Sequence, residues 1–271
     1  MTFLPPSFEL VPRLLLLLDD PEVNGERLAD LIRTDAGLTA DVMHVANSAM
    51  YSRGNRVETL MEAVNRLGLR EIYRIVMNVI ASPVLRNPQQ VGFAKLDLWT
   101  HSLTAALAAQ ALATHLSTVQ PEIAFTAALL HDVGKVVLAQ AMGRSYIAVV
   151  DEAKDKGVPI FGVERAAYKT DHAEVGAKLL KQWNFPESII AAIACHHAPE
   201  KAARSHATIA ATVYAANVLA YRVGSGYGFP PYAGSPDQVA LRGIGLRPPE
   251  VFSYEGEVRD GLERERTRFQ V

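Results

Sequence analysis

Two short stretches of this chain, and four residues beyond them, carry residue types that bind metals and act on phosphoryl groups. "LLHDVGK", residues 129–135, sets His131 and Asp132 side by side in an apolar run. A carboxylate buried there has to be paired, hydrogen-bonded or bound to a cation. "DLWTH" places Asp97 and His101 four residues apart, on one face of a helix, a spacing that serves two ligands of one ion. Further along stand His172, the pair His196–His197, and Asn217. Carboxylate and imidazole together suit Fe, Mn, Zn or Ni rather than Ca or Mg alone. With two oxygens, Asp132 can bridge two ions, and two ions several ångströms apart activate water and hold a phosphoryl oxygen. Lys135, one turn beyond His131, is placed to steady a phosphate, so Asp132 and Lys135 are the catalytic candidates.

Plainer readings compete for each residue. Asp97 serves equally well as the cap of a helix beginning at Leu98. His101, near Trp99, reads also as a satisfied core histidine. His196 and His197 stand just before Pro199, where helix-ending histidines favour the C-terminal dipole. His44, His115 and His206 have no partners in sequence and read as structural or surface residues. Beyond Lys135, the cations near the group in sequence are Lys169 and Arg144. The other five histidines of the chain, spread over several helical segments, nonetheless point to a shared site.

The elements that must position these residues are helical. "NGERLADLIRTD" offers Asn24 as an N-cap, followed by Leu28, Leu31 and Ile32 at helical spacing. "TLMEAVNRLG" opens with a Thr59…Glu62 capping box and stops at Gly68. "LREIYRIVMNVIAS" follows and is expected to end at Pro83. Residues 87–95, polar and broken by Pro and Gly, form a candidate boundary. Ala-rich helices are predicted over 97–116, 121–130, 134–142, 143–156, 159–169, 171–183, 186–197 and 206–223. Alanine at this density lets helices approach closely in a layered bundle. A Gly/Pro-rich loop, 224–238, includes "GYGFP" and reads as a connector. A final charged helix ends in "ERERTR", expected to be a solvated face. Strand-like alternation and fixed-period repeats are absent, so the fold class is all-α, divided into residues 1–90, 91–223 and 224–271.

Composition narrows the partners. The chain has 271 residues, 49% hydrophobic and 21% charged, enough for a sizeable core. Lys plus Arg number 27 and Asp plus Glu 29, a balance that marks out no nucleic-acid or anionic-membrane partner. The single cysteine, Cys195, rules out an internal disulfide and fits a reducing cytoplasm. "LLLLL" at 14–18 is too short to cross a bilayer.

Over residues 4 to about 223 the sequence resembles the HDOD branch of the HD superfamily of metal-dependent phosphohydrolases. The blocks that carry the resemblance are "LADLIRTDAGLTADVMHVANSAMY", "FTAALLHDVGKVVL" and "DHAEVGAKLLKQWNFPESIIAAIACHH". The resemblance implies an all-helical, two-lobed module of bacterial signalling, with an HD-like helical bundle as the second lobe over 91–223. His101, His131, Asp132, His172 and His196 match the superfamily's metal-ligand positions. His197 and Asp97 match extra ligands of the branch that cleaves cyclic dinucleotides, with Asp97 standing where that branch prefers Glu. Two departures follow. The final aspartate is Asn217 here, a neutral and weaker ligand. The glycine–tyrosine–proline signature is missing after the paired histidines, where "HHAPEKAARSH" runs instead. The expectation is a regulatory protein acting on a signalling partner, with a divalent metal site partly kept. A phosphodiesterase acting on a nucleotide or cyclic dinucleotide is the alternative.

Overall fold

A computed structural model describes residues 6–20, 23–48, 51, 56–86, 97–117, 119–227, 230, 240–241 and 244–269. Among them all regular structure is helical and no strand occurs, so the all-α expectation holds. The boundary expected at 87–95 lies outside the described residues, as does most of 224–238. By internal packing the chain divides into one unit of Met1–Val84 with Glu263–Val271, and a second of Leu85–Leu262.

In the first unit, α1 (Leu10–Asp19), α2 (Gly25–Arg33), α3 (Ala36–Ala46), α4 (Leu60–Leu67) and α5 (Leu69–Leu85) follow one another. The caps act as their residue types require. Asn24 accepts from the Arg27 amide at 3.0 Å and Thr59 Oγ1 from the Glu62 amide at 3.1 Å. Gly68, at φ 81°, ends α4 in a backbone conformation that glycine adopts without strain. Leu28, Ile32, Val42, Ile72 and Ile75 form the core. The stop expected at Pro83 does not occur: α5 runs on to Leu85 with the proline inside it. Proline removes one helical bond and crowds the turn before it, and here the buried Val84 just beyond it offsets that cost.

The second unit contains α6 (Leu98–Leu116), α7 (Pro121–Leu130), α8 (Val133–Met142), α9 (Arg144–Lys156), α10 (Ile160–Tyr168), α11 (His172–Gln182), α12 (Glu187–Cys195), α13 (Ala207–Arg222) and α14 (Pro248–Phe252). The bounds of α6 to α13 fall within one or two residues of those read from the Ala-rich periodicity, whereas the single final helix expected over 248–269 is broken after Phe252. The helix α15 (Glu255–Phe269) closes the chain. Helix α6 is central, buried on nearly every side and packed against α7 and α13. Ala105, Ala106, Ala108 and Ala109 on α6 meet Ala-rich neighbours on α7 and α13, so the backbones can come close. Helices α8 and α11 cross at Gly134 and Gly176. A Cβ at Gly134 would lie 1.9 Å from the carbonyl oxygen of His172, so only glycine fits.

The "ERERTR" stretch departs from its expected character at one position. Glu265 is 2% exposed and accepts from Asn78 Nδ2 at 3.2 Å, with Arg74 at 3.4 Å, all within the first unit. A buried carboxylate needs such partners, and Arg74 lies too far back in the sequence for helical spacing to reveal it.

Candidate metal centre

His131 and Asp132 do not sit inside one helix. His131 is the residue after α7 and Asp132 the residue before α8, so both occupy the break between two helices. A junction can turn two consecutive side chains into the core where a continuous helix would spread them about 100° apart. His131 and Asp132 are both buried, at 0% and 1% exposure.

Helices α6, α11 and α12 bring the remaining histidines to this junction. His101, His131 and Asp132 form one group, and His172, His196 and His197 a second, with ligand atoms within 4.8 Å of one another in each. Asp132 faces both. Its Oδ2 lies 3.4 Å from His131 Nε2 and 3.7 Å from His101 Nε2; its Oδ1 lies 3.3 Å from His172 Nε2 and 3.9 Å from His196 Nε2. Asn217 is buried on α13, which packs on α6 and α12. Asp97 is not in either group. It is exposed and caps α6, accepting from the Thr100 amide at 2.9 Å, as its plainer reading has it. Lys169 and Arg144 are exposed.

Each imidazole is held from behind. His101 Nδ1 donates to the Ser225 carbonyl at 2.7 Å, His131 Nδ1 to that of Ala128 at 2.6 Å, and His196 Nδ1 to that of Ile193 at 2.7 Å. A carbonyl only accepts, so the proton is on Nδ1 and the Nε2 lone pair faces inward. His172 is gripped by Glu164, whose Oε2 accepts from both the backbone amide at 2.9 Å and Nδ1 at 2.6 Å; Oε1 accepts from Tyr146 at 2.6 Å. Outer partners of this kind fix the orientation of metal-ligating histidines. His197 stacks on Phe161, centroids 4.4 Å apart, with its Nε2 2.8 Å from His172 Nε2.

Burial sets the electrostatics. It holds His196 and His197 well below the usual histidine range, lowers His131, and brings His101 down to about 3. His172 runs the other way: burial lowers it, but the Glu164 and Asp132 carboxylates together outweigh this and raise it to about 9. Burial pushes the Asp132 carboxyl up, yet His131 and Lys135 together hold it well below the usual carboxylate range. The buried charges therefore close among themselves. Without a metal, Asp132 and Glu164 are balanced by the Lys135 ammonium and the His172 imidazolium, and a metal bound at His172 Nε2 would take the place of that proton.

Glu164, Tyr146 and Tyr227 are the participants that sequence reading missed. Glu164 left a signal, an acidic residue on the Ile160–Val163–Glu164 face that α10 buries. Tyr227 lies in the "GYGFP" read as a connector. Its hydroxyl reaches 95 residues back to donate to Asp132 Oδ2 at 2.7 Å. Gly226 makes that approach possible, since a Cβ there would lie 2.6 Å from the Tyr221 ring.

Three buried atoms among these residues have no hydrogen-bond partner: Asp132 Oδ1, His196 Nε2 and Asn217 Oδ1. All three carry lone pairs. Leaving one such atom unmade costs about 1–3 kcal/mol, and a cation satisfies them. The donor set thus fits a divalent metal, with His101, His131, Asp132, His172, His196 and His197 to hold it.

An all-helical domain built around a buried histidine–aspartate centre is the class these features define. The chain belongs to the HDOD family, whose domain model matches residues 4–199. It is similar to an HDOD domain protein of unknown function from Geobacter sulfurreducens, at 28% identity and TM-score 0.77, covering 96% of this chain and 92% of that one. A candidate phosphohydrolase from Shewanella amazonensis is 25% identical with TM-score 0.67, over 96% and 92% of the two chains. An uncharacterized protein of Treponema pallidum is 29% identical over 203 residues, 74% of this chain. The chain spans 39% of that curated relative's length. Among the described residues no helix is long and apolar enough to cross a membrane.

Proposed function

We propose that this chain is a signalling module that holds a divalent metal as a fixed centre and acts by contact with a protein partner, without phosphoester turnover. The observation that carries this reading is the state of Asp132 Oδ2. Lys135 Nζ donates to it at 2.6 Å and Tyr227 at 2.7 Å, and all three residues are buried. The lysine that the sequence places to steady a phosphate is spent on the aspartate, and Tyr227 closes over both, its ring 4.2 Å from Lys135 Nζ. Asn217 adds no charge where the superfamily has an aspartate. A bound metal would supply Lewis acidity and an activated water; the residues around it hold, orient and exclude solvent.

A phosphohydrolase acting on a nucleotide or cyclic dinucleotide is the second reading. It is favoured by the full set of histidines around Asp132 and by the likeness to the Shewanella candidate phosphohydrolase. Purified protein with added Mn2+ or Fe2+ decides between them on cyclic dinucleotides and a generic phosphodiester. Wild type is expected to release no more product than Asp132→Ala. Robust turnover by wild type, lost in that variant, would overturn the regulatory reading.

Metal retention is predicted to depend on Glu164. Glu164→Gln keeps the shape but removes the charge behind His172, and affinity for Zn2+ or Mn2+ should fall about 10–100-fold. Competition against a chromophoric chelator measures this, with circular dichroism confirming the fold. An unchanged affinity would mean that Glu164 serves packing alone.

A further inference from the structure

The two halves of the centre are not equivalent, and we infer that only the half formed by His172, His196 and His197 takes a metal, the half formed by His101 and His131 being occupied by the ammonium of Lys135. This deepens the reading above, since it names where within the centre the ion sits.

Asp132 is divided between the halves. A carboxylate oxygen offers two lone-pair directions. On Oδ2, which faces His101 and His131, the two are taken by Lys135 and Tyr227. On Oδ1, which faces His172 and His196, no hydrogen bond is made, and His196 Nε2 beside it also lacks a partner. An ion joining the histidine-rich half finds Asp132 Oδ1 and His196 Nε2 without partners, and has only to displace the proton that His172 Nε2 and His197 Nε2 share at 2.8 Å. An ion joining the other half must first evict an ammonium or a phenol from Oδ2.

The His101–His131 half nevertheless requires positive charge. Both rings carry their proton on Nδ1, so two Nε2 lone pairs face one another at 3.3 Å with no proton to share. Two acceptors at that distance repel unless a cation lies near. Lys135 is the buried cation at hand, fixed at Oδ2 between the aspartate and the Tyr227 ring. A lysine on α8, one turn past the junction, thus does permanently what a second ion would do reversibly. The segment after α13 locks the arrangement twice: Ser225 holds His101 through its carbonyl and Tyr227 holds Oδ2.

Metal stoichiometry and the electron paramagnetic resonance of Mn2+ test this without reference to turnover. Wild type saturated with Mn2+ is expected to hold about one ion per chain, with the six-line spectrum of an isolated ion. His197→Ala should lose it and His101→Ala should keep it. Lys135→Met, alone or with Tyr227→Phe, should raise the content to about two and give the spectrum of a coupled pair. Two ions in wild type, no ion at saturating Mn2+, or loss in His101→Ala with retention in His197→Ala would each overturn the inference. The histidine variants carry the test should the lysine variants fail to fold. Finding phosphodiester turnover with one ion in the histidine-rich half would sink the regulatory reading and leave this one standing.

Discussion

Lowering the pH from 7 to 5 is expected to destabilise the chelator-treated protein steeply. His101, His131, His196 and His197 are all held below their ordinary values, chiefly by burial. An unfolded chain takes up protons on these histidines as pH falls through about 6.5, while the folded chain does not. Stability present above that pH is therefore lost as pH falls, by about 1.4 kcal/mol per pH unit for each histidine titrating only in the unfolded state. His172 has the opposite sign. Its raised value of about 9 contributes stability that is complete below the ordinary histidine range and disappears as pH rises through 9. Asp132 and Glu164, both lowered in the fold, add to the loss only at still lower pH. Chemical denaturation at stepped pH values measures the slope. A stability flat between pH 7 and 5 would show that the histidines are not buried neutral.

Gly134→Ala should be among the most damaging single-methyl changes in the chain. The added Cβ would meet the His172 carbonyl oxygen at 1.9 Å and the Gly176 amide nitrogen at 2.8 Å, both backbone atoms that no rotamer change can move. Overpacking of this kind costs about 3 kcal/mol or more, roughly 6–12 °C in Tm for a domain of this size. Relief requires α8 and α11 to separate, which carries His172 away from Asp132, so metal uptake should fall with stability. Gly162→Ala is the control. It lies in α10 with nothing within 4 Å of its Cβ, and gains up to about 1 kcal/mol of helix propensity. Equal melting temperatures for the two variants would remove the close crossing from the account.

Most of the fold was legible because helical periodicity is local. Alanine and leucine at helical spacing, with Asn24 and Thr59 as caps, place the helices within a residue or two. Pro83 misled because its cost is local while the burial that offsets it is tertiary. At the centre, the histidines and Asp132 stood out as polar groups in apolar runs. Asp97 looked the same in sequence as a ligand would, since i, i+4 spacing suits a cap followed by a core histidine as well. Tyr227 was beyond reach: 95 residues separate it from Asp132, and only the passage of its loop past Tyr221 brings them together. Lys135 was visible, but its sequence neighbours show a cation and not the carboxylate that engages it.

Glu265 carries a consequence for how the molecule is made. Its partners Arg74 and Asn78 leave the ribosome nearly two hundred residues earlier, the separation from Asn78 being 187. Until Glu265 arrives, the Asn78 amide lacks its carboxylate and Arg74 has only Glu71, 2.8 Å away on the same helix, so the segment synthesised first cannot complete its packing first. The second unit, whose contacts lie within its own continuous stretch, can consolidate in the meantime. The usual order of vectorial folding, amino end before carboxyl end, is then reversed for the two units. Truncation before Glu263 would register as an aggregation-prone amino-terminal unit, with the histidine centre still assembled.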